Sequence, residues 1–217
     1  MSEHEQEKTG QKAKHSFLYQ IARLVAALIF HTFCPVVYHG REKLPENGPY
    51  ILVSNHFSNW DPMVTGLAVR QEITFLGKKE LVSIPLLRWI FNKLHMIPID
   101  RHHTDMAAMR KCMKALKDGA VLGIFPEGTR HHEGLMENVE DGVALLALRS
   151  GTPVIPVLIT GKVRAFRVTH VYIGDEIPTA DIRAAGVNKE TCTQFIERMK
   201  ERYTEMIKAH ETRGQVD

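Results

Sequence analysis

Short apolar runs alternate with amphipathic helical patterns from residue 36 to the end of the chain. Six runs have the length and the content of β-branched residues typical of strands: VVYH, YILVSN, ITFLGK, MIPID, AVLGIF and PVIPVLIT. The run FRVTHVYIG predicts one or two more strands. Helices are predicted for TDMAAMRKCMKALKDG, VEDGVALLALRSG and residues 189–210. Strands that alternate with helices indicate an α/β domain.

The first of these helices has clear end signals. Thr104 or Asp105 is placed to cap its start, and Gly119 to end it. Four apolar residues share one face, which we expect to pack against the core: Met106, Met109, Met113 and Leu116.

Length and charge narrow the classes of protein further. A chain of 217 residues with 44% apolar and 24% charged residues is typical of one folded domain. A net charge of +3 is too small to indicate binding to nucleic acid. Between Arg70 and Lys117, however, ten basic residues face four acidic ones. This stretch suits an anionic substrate or an anionic lipid surface, and equally a solvated basic face.

The cysteines and the N-terminus indicate a reducing, cytoplasmic setting. Three widely separated cysteines (Cys34, Cys112 and Cys192) form neither a disulfide framework nor a CxxC metal pattern. Residues 1–14 are polar and of mixed charge, unlike a signal peptide, and we expect a disordered tail. We assign the α/β domain to residues 35–217.

Residues 15–34 predict an amphipathic helix. Apolar side chains recur at helical spacing along one stripe: Phe17, Leu18, Ile21, Leu24, Val25, Leu28 and Ile29. The apolar stretch falls short of the roughly 20 residues that cross a bilayer. Two interpretations follow: a helix lying in a membrane interface, aided by Lys12, Lys14 and Arg23, or a helix packed on the core of the protein.

The segment VSNHFSNWDP brings a histidine and an aspartate together just after a predicted strand. His56 lies where loops of an α/β sheet commonly form sites, and Asp61 begins a predicted helix with Pro62 at its first position. Asp61 fits a helix N-cap, and His56 fits an exposed loop residue. Alternatively, the carboxylate orients His56, which then removes a proton from a hydroxyl group.

A second polar segment, FPEGTR, follows the run AVLGI. Pro126 and Gly128 predict a tight turn, whose backbone N–H groups are available to an anion. Arg130 adds a planar fork of donors suited to phosphate. An ordinary surface turn has the same pattern.

Together these segments resemble the glycerolipid acyltransferases, and especially the 1-acylglycerol-3-phosphate acyltransferases. The resemblance runs from about residue 40 to residue 173. It comprises the block from His56 to Asp61, the lysine block GKKEL, the block MIPIDR, the block FPEGTR and the apolar block VIPV, all in the order of the family.

The resemblance implies a single α/β domain with a mixed central sheet flanked by helices and preceded by the N-terminal helix. It implies that His56 is the general base for the sn-2 hydroxyl of lysophosphatidic acid, and that Asp61 orients His56. It further implies that the resulting alkoxide attacks an acyl thioester directly. Phosphate binding is expected from Arg130, Lys78 and Arg101.

The resemblance also implies a substrate-binding loop formed by Glu127, Gly128 and Thr129, in which Glu127 positions either the loop or a substrate hydroxyl. Expected partners are lysophosphatidic acid, acyl-CoA or acyl carrier protein, and a membrane surface at the cytoplasmic face of the cell membrane. We expect no nucleic acid and no cofactor beyond the acyl donor. The pairs His102-His103 and His131-His132 lack further ligands, so no metal site is expected.

Three alternatives remain. A related enzyme of the same fold would acylate glycerol 3-phosphate or another lysophospholipid. A non-catalytic protein would bind a lipid or an acyl carrier. A thioesterase would direct the base at water.

Overall fold

The structure is a computed structural model that describes residues 17–85, 88–89, 92, 94–100, 105–128, 136 and 139–214. The predicted tail of residues 1–14 lies outside the described residues, as do Arg101, Thr129 and Arg130.

A mixed sheet forms the centre of the described chain. Its seven strands are β1 (Val36–His39), β2 (Tyr50–Ser54), β3 (Ile73–Lys78), β4 (Ile97–Ile99), β5 (Val121–Ile124), β6 (Val154–Ile159) and β7 (Thr169–Ile173). Their order across the sheet is β1-β7-β6-β2-β5-β3-β4. Strands β6, β2, β5, β3 and β4 are parallel, whereas β7 is antiparallel to β6 and parallel to β1.

The three central strands are continuous apolar runs because both faces of the sheet are covered. Every residue of β2, β5 and β6 is buried. Ile51 and Val53 belong to the core on one face, and Tyr50 and Leu52 to the core on the other. This alternation follows from the two-residue period of a strand.

Six α-helices with defined bounds surround the sheet in the described part of the chain. They are α1 (Phe17–Thr32), α2 (Asp61–Ala68), α3 (Met106–Lys117), α4 (Asp141–Ser150), α5 (Ala180–Ala184) and α6 (Lys189–Gly214). Helices α1 and α2 contribute to the core on one face, and α3, α4, α5 and α6 to the core on the other. The predicted mixed α/β architecture is thus confirmed.

The remaining differences from the predicted elements are local. FRVTHVYIG contains a single strand, and the short helix α5 has no counterpart in the prediction. Asp105 caps α3 by accepting from the amides of Ala107 and Ala108. The expected packing of Met106 is wrong: this side chain is exposed, because Ala108 and Cys112 lie closer to the centre of the buried face.

Helix α1 packs with the face opposite its large apolar stripe. Its buried residues are Tyr19, Ala26 and Phe30. Five of the seven stripe residues are instead among the exposed large hydrophobic residues: Phe17, Ile21, Leu24, Val25 and Leu28. Of the helices in the described chain, none is both long enough and apolar enough to cross a membrane.

Arg23 was expected to assist contact with lipid, and the structure gives it another position. Its guanidinium donates to the carbonyl oxygens of Gly66 (3.3 Å) and Val69 (2.5 Å). These carbonyls include the C-terminal end of α2, where a cation complements the helix dipole. Arg23 therefore fastens α1 to α2.

Candidate active site

The loops that carry the predicted site residues meet at one edge of the sheet. Strands β2, β3, β5 and β6 are parallel, so their carboxyl ends lie on the same side. Ligands of open α/β sheets bind at this edge. It brings together His56 after β2, Lys78 at the end of β3, Phe125 after β5 and Lys162 after β6, all of which line one cavity.

His56 and Asp61 form a direct pair. Nδ1 of His56 lies 2.8 Å from Oδ2 of Asp61. An ionised carboxylate only accepts hydrogen bonds, so Nδ1 carries the hydrogen and Nε2 carries the lone pair. Nε2 has no hydrogen-bond partner among the described residues, which leaves it available as a base.

The Asp61 carboxylate is fully buried, with 0% exposure. Its Oδ2 also accepts from the amides of Phe57 (2.5 Å) and Ser58 (2.6 Å), and its Oδ1 accepts from the Ser58 hydroxyl at 2.8 Å. These donors satisfy both oxygens of the buried carboxylate and fix its position.

The alternative in which Asp61 is an N-cap is wrong. Asp61 is the first residue of α2, the N-cap position belongs to Trp60, and no side chain caps this helix. The carboxylate turns back toward the loop that precedes the helix. Asp61 therefore orders the loop from His56 to Ser58.

Aromatic contacts fix the plane of the imidazole. The ring of His56 stacks on Phe125, with centroids 4.3 Å apart and an interplanar angle of 26°. Phe125 in turn lies parallel to Phe75, at 5.9 Å and 12°. The side chain of His56 is only 14% exposed. Packing and one hydrogen bond thus hold the base in a single orientation.

Asn55 supports the loop from behind and was not recognised in the sequence. Its side-chain amide donates to the carbonyl of Ile159 (2.9 Å), and its side-chain oxygen accepts from the amide of Ile159 at 2.8 Å. These two bonds join the ends of β2 and β6. The loop that carries His56 follows β2, and the loop that carries Lys162 (residues 160–168, the β6–β7 loop) follows β6. The sequence offers no signal for this contact beyond the place of Asn55 at the end of an apolar strand.

A cavity of about 1090 Å³ opens beside His56. Its walls come from α1, the His56 loop, α2 and β3, together with the segment before β4 and the segments after β5 and β6. Most of the lining is apolar or small: Tyr19, Ala22, Ala26, Phe57, Met63, Gly66, Leu67, Ile73, Phe75, Leu76, Leu94, Met96, Phe125 and Val163. Polar and charged groups are few, and Lys78 and Lys162 supply positive charge.

The loop after β5 is built around a buried acid. Glu127 is 4% exposed and accepts from the amide of Met136 at 2.7 Å. Gly128 has φ 65°, a conformation that favours glycine. Two roles were expected for Glu127: to position the loop or to bind a substrate hydroxyl. The contact with Met136 lies within the loop and supports the first role. Thr129 and Arg130 lie outside the described residues.

Lys78, the last residue of β3, and Lys79, directly after it, differ in their surroundings. Lys78 lines the cavity. Lys79 pairs with Asp100, which raises the pKa of Lys79 through the hydrogen bond and the charge of that carboxylate. Lys78 is therefore the one of the two that is placed toward a substrate in the cavity. Arg101 lies outside the described residues.

The two serine hydroxyls beside His56, and the two buried thiols elsewhere in the core, are not prepared as nucleophiles. The Ser58 hydroxyl donates to Asp61, and that of Ser54 donates to a backbone carbonyl. Burial raises the pKa of Cys112 to about 11 and also raises the pKa of Cys192. These groups suit a mechanism in which the acceptor hydroxyl itself attacks.

Among the residues that the structure describes, no three His, Cys, Asp or Glu side chains are grouped so as to hold a metal ion. The pairs His102-His103 and His131-His132 fall outside the described residues.

Comparison with known proteins decides the family. A family model described as Acyltransferase matches residues 35–160, which include the His56 loop and the Glu127 loop. The chain belongs to the acyltransferase family. The resemblance drawn from the motifs is thus confirmed at the level of the family.

Relatives within this family agree in name. The chain is 31% identical over 155 residues to a chloroplastic 1-acyl-sn-glycerol-3-phosphate acyltransferase of Brassica napus, covering 69% of the chain and 45% of the relative. It is 26% identical over 175 residues to the Bacillus subtilis 1-acyl-sn-glycerol-3-phosphate acyltransferase, covering 77% and 86%. The chain spans less than half the length of the Brassica napus relative.

The acyltransferase fold is also found in a solved structure. The crystal structure of the 1-acyl-sn-glycerophosphate acyltransferase PlsC from Thermotoga maritima matches with a TM-score of 0.65 and 25% sequence identity. The match covers 88% of this chain and 78% of that one.

Proposed function

We propose that this acyltransferase transfers a fatty acyl group from an acyl thioester to the sn-2 hydroxyl of 1-acylglycerol 3-phosphate, forming phosphatidic acid. The observation that carries the proposal is the buried His56–Asp61 pair at the wall of a large apolar cavity. The names of the relatives support the choice of acceptor.

The chemistry follows from the orientation of His56. Its Nε2 removes the proton of the acceptor hydroxyl as the oxygen attacks the thioester carbonyl. The C–S bond breaks, and the thiolate leaves with the proton from the imidazolium. Asp61 stabilises the imidazolium and preserves the tautomer. General-base catalysis of this kind contributes about 10²–10⁴ in rate.

The cavity suits a fatty chain. Burial of each methylene group against its apolar walls contributes about 0.8 kcal/mol to the free energy of binding. At about 1090 Å³ it lies at the large end of ligand pockets, which commonly hold roughly 300–1,000 Å³. A fatty chain in the cavity would place its polar end near His56.

The phosphate of the acceptor requires cations near the mouth of the cavity. Lys78 lines the cavity, and by the family resemblance Arg130 and Arg101 complete the phosphate site. A planar guanidinium binds phosphate through two hydrogen bonds, which gives Arg130 the leading part.

We place the protein at a membrane surface, peripherally and on the cytoplasmic face. The exposed stripe of α1 supports this part of the proposal. Leu24 is 71% and Leu28 66% exposed, and the opposite face of the same helix contacts α2 and the cavity. An apolar stripe in this position fits the acyl region of a lipid interface.

The test is an acceptor panel with the purified protein in mixed micelles, with products identified by mass. The panel contains lysophosphatidic acid, glycerol 3-phosphate, lysophosphatidylcholine and no acceptor, each with acyl-CoA and with acyl carrier protein as donor. We expect phosphatidic acid from lysophosphatidic acid, and no product from the His56→Ala variant. Preferred use of another acceptor, or thioester hydrolysis that lysophosphatidic acid does not suppress, would contradict the proposal.

A further inference from the structure

The loop between β6 and β7 presents a large aromatic side chain to solvent. Phe166 is 79% exposed and has φ 58°. The left-handed region is uncommon for a bulky residue, so the surroundings must hold it there. Its amide donates to the carbonyl of Phe33 at 2.6 Å, directly after α1. The fold thus holds a phenyl ring away from the core.

This ring continues the apolar surface of α1. The rings of Phe33 and Phe166 meet edge to face, with centroids 6.2 Å apart. Phe33 and Val168 are themselves about half exposed. The exposed stripe of α1 and the tip of the β6–β7 loop are therefore joined through Phe33, although more than 130 residues separate them in the chain.

Basic residues surround the aromatic tip. Lys162, Arg164 and Arg167 are exposed, and none pairs with a carboxylate within the described chain. Together with Thr160 and Thr169 they line a shallow concavity of about 270 Å³. Neither residues 17–35 nor residues 160–168 contain an acidic residue. The combined surface is apolar at its centre and purely cationic at its edge.

We propose that the β6–β7 loop is a second membrane contact, in which Phe166 enters the interface beside α1 while Arg164 and Arg167 bind anionic lipid headgroups. Basic residues near an anionic bilayer are attracted to its surface, and aromatic rings favour its interface. A second copy of the chain is a poorer occupant, because a symmetric contact would bring like charges together.

The inference rests on the proposed function in one respect: a lipid substrate requires a bilayer next to the cavity. Lys162 and Val163, at the start of the same loop, line that cavity. A loop seated on the membrane would thus hold the mouth of the cavity at the lipid surface. Two contacts, α1 and the loop, also fix the orientation of the domain, which one helix alone does not.

The first experiment is flotation with vesicles of phosphatidylcholine alone or of equal parts phosphatidylcholine and phosphatidylglycerol. We expect Arg164→Glu with Arg167→Glu to lower partitioning onto the anionic vesicles by about tenfold or more. The matched control is Arg110→Glu with Lys111→Glu, which makes the same change of charge on α3, across the sheet. An equal loss in both double variants would overturn the proposal, since only net charge would matter.

The second comparison concerns the aromatic ring. Phe166→Asn suits the positive φ, because asparagine adopts that region more readily. We expect about fivefold weaker partitioning, whereas Val187→Asn, an exposed apolar position preceding α6, leaves it unchanged. Unchanged partitioning of Phe166→Asn would overturn the proposal. If Phe166→Asn fails to fold, Phe166→Gly supplies the same test.

These vesicles contain neither acceptor nor thioester, so the result does not depend on the activity. Expected binding without acyl transfer would refute the proposed function and leave the membrane contact standing. If the protein acylates lysophosphatidic acid but the loop variants bind vesicles as well as the wild type does, the proposed function stands and the membrane contact is refuted. If sedimentation without lipid shows a dimer that the loop variants dissociate, a second copy covers this surface and the proposal fails.

Discussion

The hydroxyl of Tyr203 donates to the carbonyl of Val53 at 2.6 Å, across 150 residues of sequence. The same oxygen lies 3.2 Å from the carbonyl of Val157 on the neighbouring strand. Burial holds the pKa of Tyr203 well above its ordinary value, so this hydroxyl remains a donor. Helix α6 thereby supports β2 and β6 directly behind the His56 and Lys162 loops.

We expect Tyr203→Phe to lower the free energy of unfolding by about 1 kcal/mol, the usual value of one buried hydrogen bond. Tyr203→Ala should cost about 3–5 kcal/mol, because it also leaves a cavity. Urea denaturation of both variants checks this. No loss in Tyr203→Phe would mean that the hydroxyl contributes nothing, and equal losses in the two variants would mean that the ring contributes nothing.

His56→Ala should lower kcat by about 10²–10⁴ and leave the fold intact. The imidazole belongs to a loop and makes one hydrogen bond, so few stabilising contacts are lost. Steady-state assays together with thermal melting measure both effects. Normal turnover in a folded variant would exclude His56 as the base.

Asp61→Asn should lower both the turnover and the free energy of unfolding. An asparagine oxygen cannot accept from His56, two amides and a hydroxyl as the carboxylate does, and its amide group would face other donors. We expect a loss of about 1–3 kcal/mol in the free energy of unfolding.

Asp61→Ser is the companion variant, since serine is too short to reach these donors. Retained activity in Asp61→Ser would show that His56 does not need the carboxylate.

The exposed stripe of α1 should matter for lipid and not for folding. Leu24→Gln with Leu28→Gln should weaken binding to anionic vesicles by about tenfold, while the melting temperature stays nearly constant. Phe30→Ala, on the buried face of the same helix, should instead cost about 3–5 kcal/mol of stability. A fall in stability of the double variant without loss of binding would show that the stripe belongs to a protein core.

Gly66 lies in α2 and lines the cavity. A Cβ at this position would meet Ile73 at 3.4 Å, an ordinary contact, so the first atom of a side chain fits without a shift of its neighbours. We expect Gly66→Leu to reduce transfer with long fatty chains more than with short ones.

Gly142→Leu is the matched control for Gly66→Leu, because nothing lies within 4 Å of a Cβ at Gly142 in α4. The measurement is the chain-length profile for both acceptor and donor. An unchanged chain-length profile for Gly66→Leu would mean that the cavity does not hold the fatty chain.

Local pattern was sufficient for much of the fold. Strands such as β2 and β6 could be predicted because buried parallel strands are continuous apolar runs between turns. Asp105 could be placed at the start of α3 because an N-cap depends on groups two and three residues away. His56 and Asp61 could be singled out because they are close in sequence and follow a strand.

Interactions between distant segments could not be predicted in this way. Asn55 bonds to Ile159, and Arg23 bonds to carbonyls of α2, through side chains that look like ordinary polar residues in the sequence. Their partners become known only when the order of the strands and the position of α1 are known. The same holds for the contact of Phe33 with Phe166.

The sequence by itself determined the alternation of strands and helices, the family motifs and the amphipathic character of α1, because each depends on spacing along the chain. Only the tertiary structure decided which face of α1 is buried, that the Asp61 carboxylate orients His56 instead of capping α2, and that a cavity opens beside them. Burial is favourable for any apolar face, whether in the protein core or in lipid. The periodicity of apolar residues in α1 therefore does not show which of the two environments covers a given face. That choice depends on the long-range contacts of α1 with α2 and of β2 with β6.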